Sequence, residues 1–256
     1  GLHEAHTLLG ILLNEGMGVM TDHKRAASLF EKAAALGDFK AMYNLGVLQI
    51  EGKGVSAAQS KGMDNVRRAA TGGVAQAQFT VSIWYRDGAL GTKQDFKKEY
   101  HSALKAANQD HAQAQHNIGV LLEEGRGPPK NERLAAEWYN KAISAGQVES
   151  MCNLGKLLLT GAPGLPKDET EGYGLVLAAA ERSHAPAQFN VALCFDRGIG
   201  VEKSPAEALK WLRKAAGLSF LPALKELGTV LRTGSLGEIN EAEAVECDRL
   251  VAAAST

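Results

Sequence analysis

The sequence predicts an all-α fold, an α-α superhelix or solenoid of seven helix-turn-helix repeats of 36–37 residues. The main observation is an apolar residue, usually followed by a small one, that recurs every 36 or 37 residues along the 256-residue chain. We call this residue the anchor of its repeat, and the seven anchors are Leu9, Leu45, Val81, Ile118, Leu154, Val191 and Leu227. Composition agrees, because Ala and Gly are abundant and aromatic residues make up only 6% of the chain, a balance that favours closely packed helices.

Two further columns set the register of the repeat. A small residue stands four positions before each anchor: Ala5, Ala41, Ala77, Ala114, Ser150, Ala187 and Ala223. A glycine stands seven positions after each anchor: Gly16, Gly52, Gly88, Gly125, Gly161, Gly198 and Gly234. The copies predict one solenoid domain over residues 1–256, with repeats at approximately 2–37, 38–73, 74–110, 111–146, 147–183, 184–219 and 220–256.

Each repeat is predicted to hold two helices. The first runs from shortly before the small residue to just before the glycine, as shown by Ala5, Leu9, Leu12 and Leu13, whose spacing is that of a buried helical face. The glycine is expected to end this helix as a left-handed cap. Because a lone hairpin of this size cannot bury its apolar face, neighbouring hairpins must stack on one another.

The second helix is clearest in repeats one, four and six, over residues 24–34, 132–143 and 205–216. Pro205 suits the first turn of a helix, where its missing N–H is not needed. The large side chains Trp84, Tyr139 and Trp211 are expected to fill space between helices. These features complete the hairpin pattern.

Repeat four carries the fullest set of motifs: Ala114, Ile118-Gly119, Gly125-Arg126-Gly127, Trp138-Tyr139 and Lys141-Ala142. On these residues the chain resembles the Sel-1-like repeats, relatives of the tetratricopeptide repeats. In repeats three, five and seven the second glycine comes one residue later, so their loops depart from the pattern. The resemblance implies a right-handed superhelix whose concave surface serves as an adaptor or scaffold. One cysteine-rich branch binds β-lactams, but its paired cysteines are missing here.

The candidate partner site is a stripe of polar residues on the first helices. Polar columns fall five before, one before and six after the anchor, and at about 100° per residue these lie on one side of the helix. The column just before the anchor reads Leu8, Asn44, Thr80, Asn117, Asn153, Asn190 and Glu226. Because an amide both donates and accepts, this column could engage the backbone of an extended peptide. In the alternative interpretation, each Asn bonds to a neighbouring loop or helix end and stabilises the stack.

Acidic residues occupy the column six after the anchor in the first four repeats, as Glu15, Glu51, Asp87 and Glu124, and are absent from the last three. An acid in the last turn of a helix opposes the helix dipole, so local stability does not explain the column. A basic segment of a partner would explain it. The alternative is a solvated rim neutralised by nearby lysines.

Enzyme and cofactor functions are not indicated. The Gly-x-Gly loops follow helices, whereas phosphate-binding loops follow strands. His111 and His184 share one column at the repeat junctions, which marks them as repeat features. His116 and Cys152 fall in one column of adjacent repeats, but the sequence indicates no third group that would orient them for catalysis. The sequence therefore predicts no catalytic residue, no metal ligand and no cofactor.

Charge and composition narrow the remaining classes. A net charge of −1 argues against nucleic-acid binding, no apolar run is long enough for membrane insertion, and the N-terminus lacks a signal-peptide layout. Three scattered cysteines favour a reducing, cytoplasmic location.

The leading prediction is a non-catalytic adaptor that holds an extended or basic segment of another protein in its concave groove. The alternative is a structural subunit packed permanently in a large assembly, which contacts other subunits through its end faces.

Overall fold

The computed structural model describes residues 1–254 and contains fourteen α-helices within them. The first helices of the hairpins are α1 Leu2–Glu15, α3 Phe39–Glu51, α5 Ala75–Asp87, α7 Ala112–Glu124, α9 Val148–Thr160, α11 Ala185–Arg197 and α13 Leu221–Thr233. The second helices are α2 His23–Ala35, α4 Gln59–Thr71, α6 Phe96–Ala107, α8 Glu132–Ser144, α10 Glu169–Glu181, α12 Pro205–Gly217 and α14 Glu241–Ala253. Over the same residues there is no β-strand, only an isolated bridge between Ala162 and Leu165. The predicted all-α fold of helical hairpins is confirmed.

The glycine column ends the first helices as predicted, with one exception. All seven first helices end one residue before their glycine, and six of these glycines have left-handed backbone angles. The prediction is wrong for Gly161, whose ψ is 161°. There the chain enters a tight turn in which Ala162 and Leu165 exchange two 2.9 Å backbone hydrogen bonds around Pro163 and Gly164. Gly161 leads into this turn with φ 70° and ψ 161°, a combination that is essentially restricted to glycine.

Polar N-caps start most of the second helices. The side chains of Asp22, Asp95, Asn131, Asp168, Ser204 and Asn240 each accept a hydrogen bond from a backbone N–H of the first helical turn. Such a cap satisfies a donor that the helix itself leaves unpaired. Pro205 occupies the first turn after the Ser204 cap, as predicted.

The helices form two compact units, Gly1–Lys130 and a second that begins at Asn131. Within each unit, consecutive helices pack into a helical-repeat solenoid, and the predicted space-filling side chains Trp84, Tyr139 and Trp211 are buried. Six of the seven small residues and five of the seven anchors are buried as well, for example Ala41 and Leu45 in the first unit. The exceptions are Ala5 and Leu9, which are exposed, and Val81, which is half-buried. A single solenoid domain over the whole chain stays a prediction.

The first and last helices expose faces of different character. In α1, Ala5 is exposed and the anchor Leu9 is 38% exposed, whereas the equivalent Ala41 and Leu45 of α3 are buried against α2. In α14, Asp248 stands where α12 has the buried Leu212, and it pairs with Arg232 of α13. The outer face of α1 is therefore apolar, and that of α14 carries charges.

Candidate functional site

An open cleft of about 950 Å³ lies in the first unit. It is bordered by α1 and α3, by the turn that leads into α5, and by the N-terminus of α7. All three predicted polar columns contribute to its lining, as Glu4, Lys40 and Gln76, then Asn44, then Glu15. The polar stripe predicted for the first helices thus borders a real cleft in this unit.

Apolar side chains make up much of the remaining cleft wall. Ile11, Phe39, Tyr43 and Val74 line it, and Phe39 is 42% exposed. Because an exposed aromatic ring can bury a large apolar area on binding, the cleft combines an apolar contact surface with polar groups at its edge.

Asp38 connects two of the helices that line the cleft, α1 and α3. Its carboxylate accepts hydrogen bonds from the backbone N–H groups of Lys40 and Ala41, at 2.9 and 3.1 Å, and from the Thr7 hydroxyl at 2.8 Å. Partial burial raises the pKa of Asp38, but these hydrogen bonds outweigh it and leave the pKa below its usual value. Asp38 therefore stays ionised and links α1 to the start of α3.

His111 caps α7 at the far edge of the cleft. Its ring Nδ1 accepts a hydrogen bond from Ala114 N at 3.2 Å, its Nε2 lies 2.9 Å from Gln76 Oε1, and its ring stacks on Phe79. Burial lowers the pKa of His111, so the ring is neutral and its Nε2–H donates to Gln76. His184 caps α11 in the second unit in the same way, which confirms that these histidines are repeat features.

In the first unit the predicted amide column is only partly used by the fold. The Asn44 amide donates to Lys40 O at 3.0 Å, and the Thr80 hydroxyl donates to Gln76 O at 2.9 Å. The Thr80 hydroxyl also lies 3.3 Å from the Tyr43 hydroxyl. Asn117 is half-buried, and within residues 1–254 its amide has no hydrogen-bond partner. Asn44 and Asn117 thus keep hydrogen-bonding capacity for a ligand.

In the second unit the amides of this column serve the fold. Asn153 donates to the Tyr139 hydroxyl at 3.3 Å, which joins α9 to α8. Asn190 donates to the sulfur of Cys152 at 3.4 Å, which joins α11 to α9. These contacts favour the stabilising interpretation for Asn153 and Asn190, and a binding role for the pair stays a prediction.

The predicted acidic column is exposed, and three of its members have intramolecular partners. Glu51 pairs with Lys53 at 2.8 Å, Asp87 accepts two hydrogen bonds from Arg86 at 2.8 and 3.1 Å, and Glu124 pairs with Arg126. The Arg86 hydrogen bond lowers the pKa of Asp87. A basic partner segment would have to compete with these cations, so its binding stays a prediction.

One buried acid lies outside the predicted polar columns. Glu99 of α6 is 2% exposed, and its Oε2 atom has no hydrogen-bond partner. Aligning the second helices on their N-caps would have revealed it, because the same position is Ala or Gly in every other hairpin.

Three further features of the chain are its candidate metal ligands, the hydropathy of its helices and its cysteines. Across the part of the chain that the structure describes, no group of three or more His, Cys, Asp or Glu could hold a metal ion, and no helix there is long and apolar enough to span a membrane. Cys152, Cys194 and Cys247 are buried thiols that form no disulfide within the described residues. Burial raises the pKa of Cys194 to about 11, so this thiol is protonated at neutral pH and is a weak nucleophile.

The fold and the cleft define a class: a helical-repeat protein whose first helices border an open cleft. The chain belongs to the Sel1 repeat family, which matches six consecutive segments, residues 3–38, 39–74, 75–111, 112–147, 148–184 and 185–219. The match ends at residue 219. The seventh hairpin, α13 and α14, is therefore identified from the structure and not from the family match.

Similar proteins include regulators and a binding protein. The chitin synthase regulator SKT5 of Saccharomyces cerevisiae is 27% identical over 90% of this chain and 34% of its own length. The DAP3-binding cell death enhancer 1 of Rattus norvegicus is 29% identical over 63% of this chain and 40% of its own length. The chain therefore spans well under half of these relatives.

A solved structure shows the same fold over nearly the whole chain. The crystal structure of a Sel1 repeat protein from Oxalobacter formigenes is 26% identical, with a TM-score of 0.86 over 96% of both chains.

Proposed function

We propose that this chain is a non-catalytic protein-interaction scaffold. Membership of the Sel1 repeat family supports this function, as do relatives whose names describe a regulator and a DAP3-binding protein. The particular partners in those names belong to those proteins, which are much longer than this chain.

The cleft of the first unit is the observation that carries the proposal. Glu4, Glu15 and Asp38 line it together with one lysine, Lys40, and its wall exposes Phe39. This combination fits a segment of a partner protein that presents an apolar side chain beside a basic one. Because Asp38 and the His111 cap hold the cleft in place, little ordering entropy is lost on its side when the segment binds.

Cross-linking mass spectrometry after capture of partners from the source cells would identify the segment that binds. Binding of that segment as a synthetic peptide should weaken at least about tenfold in Phe39→Ala, since exposed aromatic anchors dominate such contacts. The matched control is Leu36→Ala, which removes an apolar side chain that is 59% exposed outside the cleft lining. Equal affinity of Phe39→Ala and Leu36→Ala, with helical content unchanged, would exclude the cleft.

Two single variants separate binding from stabilisation in the amide column. Asn117→Ala should weaken peptide affinity and leave unfolding unchanged, because the Asn117 amide has no intramolecular hydrogen bond. Asn153→Ala should instead lower the unfolding free energy, by about 1 kcal/mol, because it removes a hydrogen bond to buried Tyr139. If Asn117→Ala binds like the native chain, the amide column is not part of the binding surface.

A permanent structural subunit is the second candidate, and the face of α1 favours it. Leu2 is 68% exposed, Leu8 61% and Leu9 38%, and several large apolar side chains exposed on one helix are typical of a contact surface. Replacing Leu9 by Lys should then release the chain from a complex of fixed stoichiometry, measured by light scattering. Leu218→Lys, at a residue 49% exposed in the second unit, is the control, and loss of the complex in both variants would count against a specific α1 contact.

A reducing, cytoplasmic environment fits the three buried cysteines, which form no disulfide within the described residues. Native alkylation of the folded chain should label none of them, whereas the unfolded chain should take up three labels per molecule.

A further inference from the structure

Glu99 occupies a position that every other hairpin fills with a small residue. It is the fourth residue after the N-cap of α6. The equivalent residues are all buried: Ala26, Gly62, Ala135, Gly172, Ala208 and Ala244. At this point the second helix crosses the first helix of its own hairpin, and only α6 brings a carboxyl group there. A buried carboxyl group without a hydrogen bond is costly and calls for a physical reason.

The groups around Glu99 come from three elements. Arg86 and Asp87 of α5, Glu124 of α7 and Arg126 of the following loop all act on it electrostatically. Arg86 is engaged by Asp87 through two hydrogen bonds. The two exposed acids therefore each have an arginine, and the buried acid has none.

Arg126 is the cation that could pair with either Glu124 or Glu99. It pairs with Glu124, while its guanidinium lies over the Phe96 ring, 5.2 Å from the centroid. Phe96 and Glu99 are three residues apart on α6, so their side chains share one face of the helix. The Arg126 Nε atom faces Glu124 in this pair, and within residues 1–254 the two terminal nitrogens of the guanidinium have no hydrogen-bond partner, which leaves them available for a second carboxylate.

We propose that Glu99, Arg126 and Glu124 form a proton-operated switch. Glu99 is neutral in the packed hairpin. When it loses its proton to solvent, the new carboxylate draws the Arg126 guanidinium away from Glu124, which becomes an unpaired exposed acid. Because Glu124 belongs to the acidic column, the switch would control whether that column can hold a basic group, and this last consequence rests on the proposed function.

Burial raises the pKa of Glu99 against the opposing effects of Arg126 and Arg86, in keeping with a neutral acid. The exchange links the ionisation of Glu99 to the pairing of Glu124. The NMR signal of the exposed Glu124 carboxyl group should therefore move when Arg126 leaves it.

Carbon-13 NMR of the glutamate carboxyl groups of the full chain tests the exchange without any partner. Glu99 should titrate above the ordinary glutamate range of about 4.3, and the Glu124 carboxyl signal should move as Glu99 ionises, because Arg126 leaves it. In Glu99→Gln that movement should disappear. Glu99→Ala is the second variant, since four other hairpins carry Ala there, and it should behave likewise.

Glu137→Gln is the control, because Glu137 lies in an exposed pair with Arg133 of the second unit and its replacement should leave the movement of the Glu124 signal unchanged. A Glu99 that titrates at or below 4.3, or a movement of the Glu124 signal that persists in Glu99→Gln, would overturn the switch. A deca-lysine peptide then probes the consequence: its affinity should rise as Glu99 ionises and stay flat in Glu99→Gln. Absence of peptide binding with the movement of the Glu124 signal intact would count against the proposed function alone.

Discussion

Hairpins α3/α4 and α5/α6 differ in the residues that lie where their two helices cross. In α3/α4, Gly46 and Gly62 face each other, and a Cβ on Gly46 would lie 2.7 Å from the backbone oxygen of Gly62. In α5/α6 the same two positions hold Ser82 and Glu99, both buried. One crossing is a contact between two backbones, and the other encloses polar side chains.

The difference shows that the repeat constrains the position of a helix crossing more than its chemistry. The Ser82 hydroxyl is satisfied by Phe79 O of its own helix at 2.7 Å, so it does nothing for the unpaired oxygen of Glu99. A fold that accepts both solutions keeps its hairpin geometry with or without a destabilising polar group. That tolerance permits a titratable group inside one repeat.

The largest loss of stability is expected when a side chain is added where Gly46 of α3 meets Gly62 of α4. Gly46→Val should lower the unfolding free energy by about 3 kcal/mol, because the added side chain meets the Gly62 backbone and the Val66 side chain, 2.7 and 2.9 Å from its Cβ. Urea unfolding followed by circular dichroism measures the loss.

The control for crowding is Gly174→Ala in α10, where a Cβ would meet nothing within 4 Å. It should gain about 0.5–1 kcal/mol, since Ala is the better helix former. Similar losses in both variants would mean that backbone contact does not define the α3/α4 crossing.

A smaller, pH-dependent change in stability is expected where α5 and α6 cross, at Glu99. Because the pKa of Glu99 is raised in the folded chain, the stability of the neutral acid is fully present below about pH 4.3 and is lost as pH rises through the folded pKa. Glu99→Gln should therefore exceed the native chain by about 1 kcal/mol at pH 7.5 and match it at pH 4.

Chemical unfolding at a series of pH values measures this difference, and hydrogen exchange locates it in α5 and α6. A constant difference between the two proteins from pH 4 to pH 7.5 would contradict a neutral acid at this crossing.

The smallest effect is expected where a charge is fully paired. In the second unit Arg213 donates to Glu243 at 2.9 and 2.6 Å and to Glu238 at 3.2 and 2.6 Å. Because Arg213 is 36% exposed, Arg213→Lys should cost only about 0.5 kcal/mol by losing the forked geometry. The cost should shrink in 1 M salt, and a loss as large as that of Gly46→Val would reverse the ranking.

The sequence predicted the helices well because their boundaries depend on local signals. Every first helix ends at its predicted glycine, and the start of α12 follows from Ser204 and Pro205. The angles of Gly161 were missed because the turn that follows it decides them.

The candidate site was predicted less completely, because side-chain partners come from other repeats. The spacing placed Asn44 and Asn153 in one column, but only the structure shows that one borders a cleft while the other bonds to Tyr139. Glu99 was overlooked because the polar columns were sought on the first helices alone.

Because the outer face of α1 is apolar and that of α14 carries charges, the two helices would accept an added hairpin differently. A designed hairpin fused ahead of α1 could seat its second helix on Ala5 and Leu9, much as α2 seats on α3. A hairpin appended after α14 would meet Asp248 and its ion pair, so lengthening from that side would first require apolar replacements.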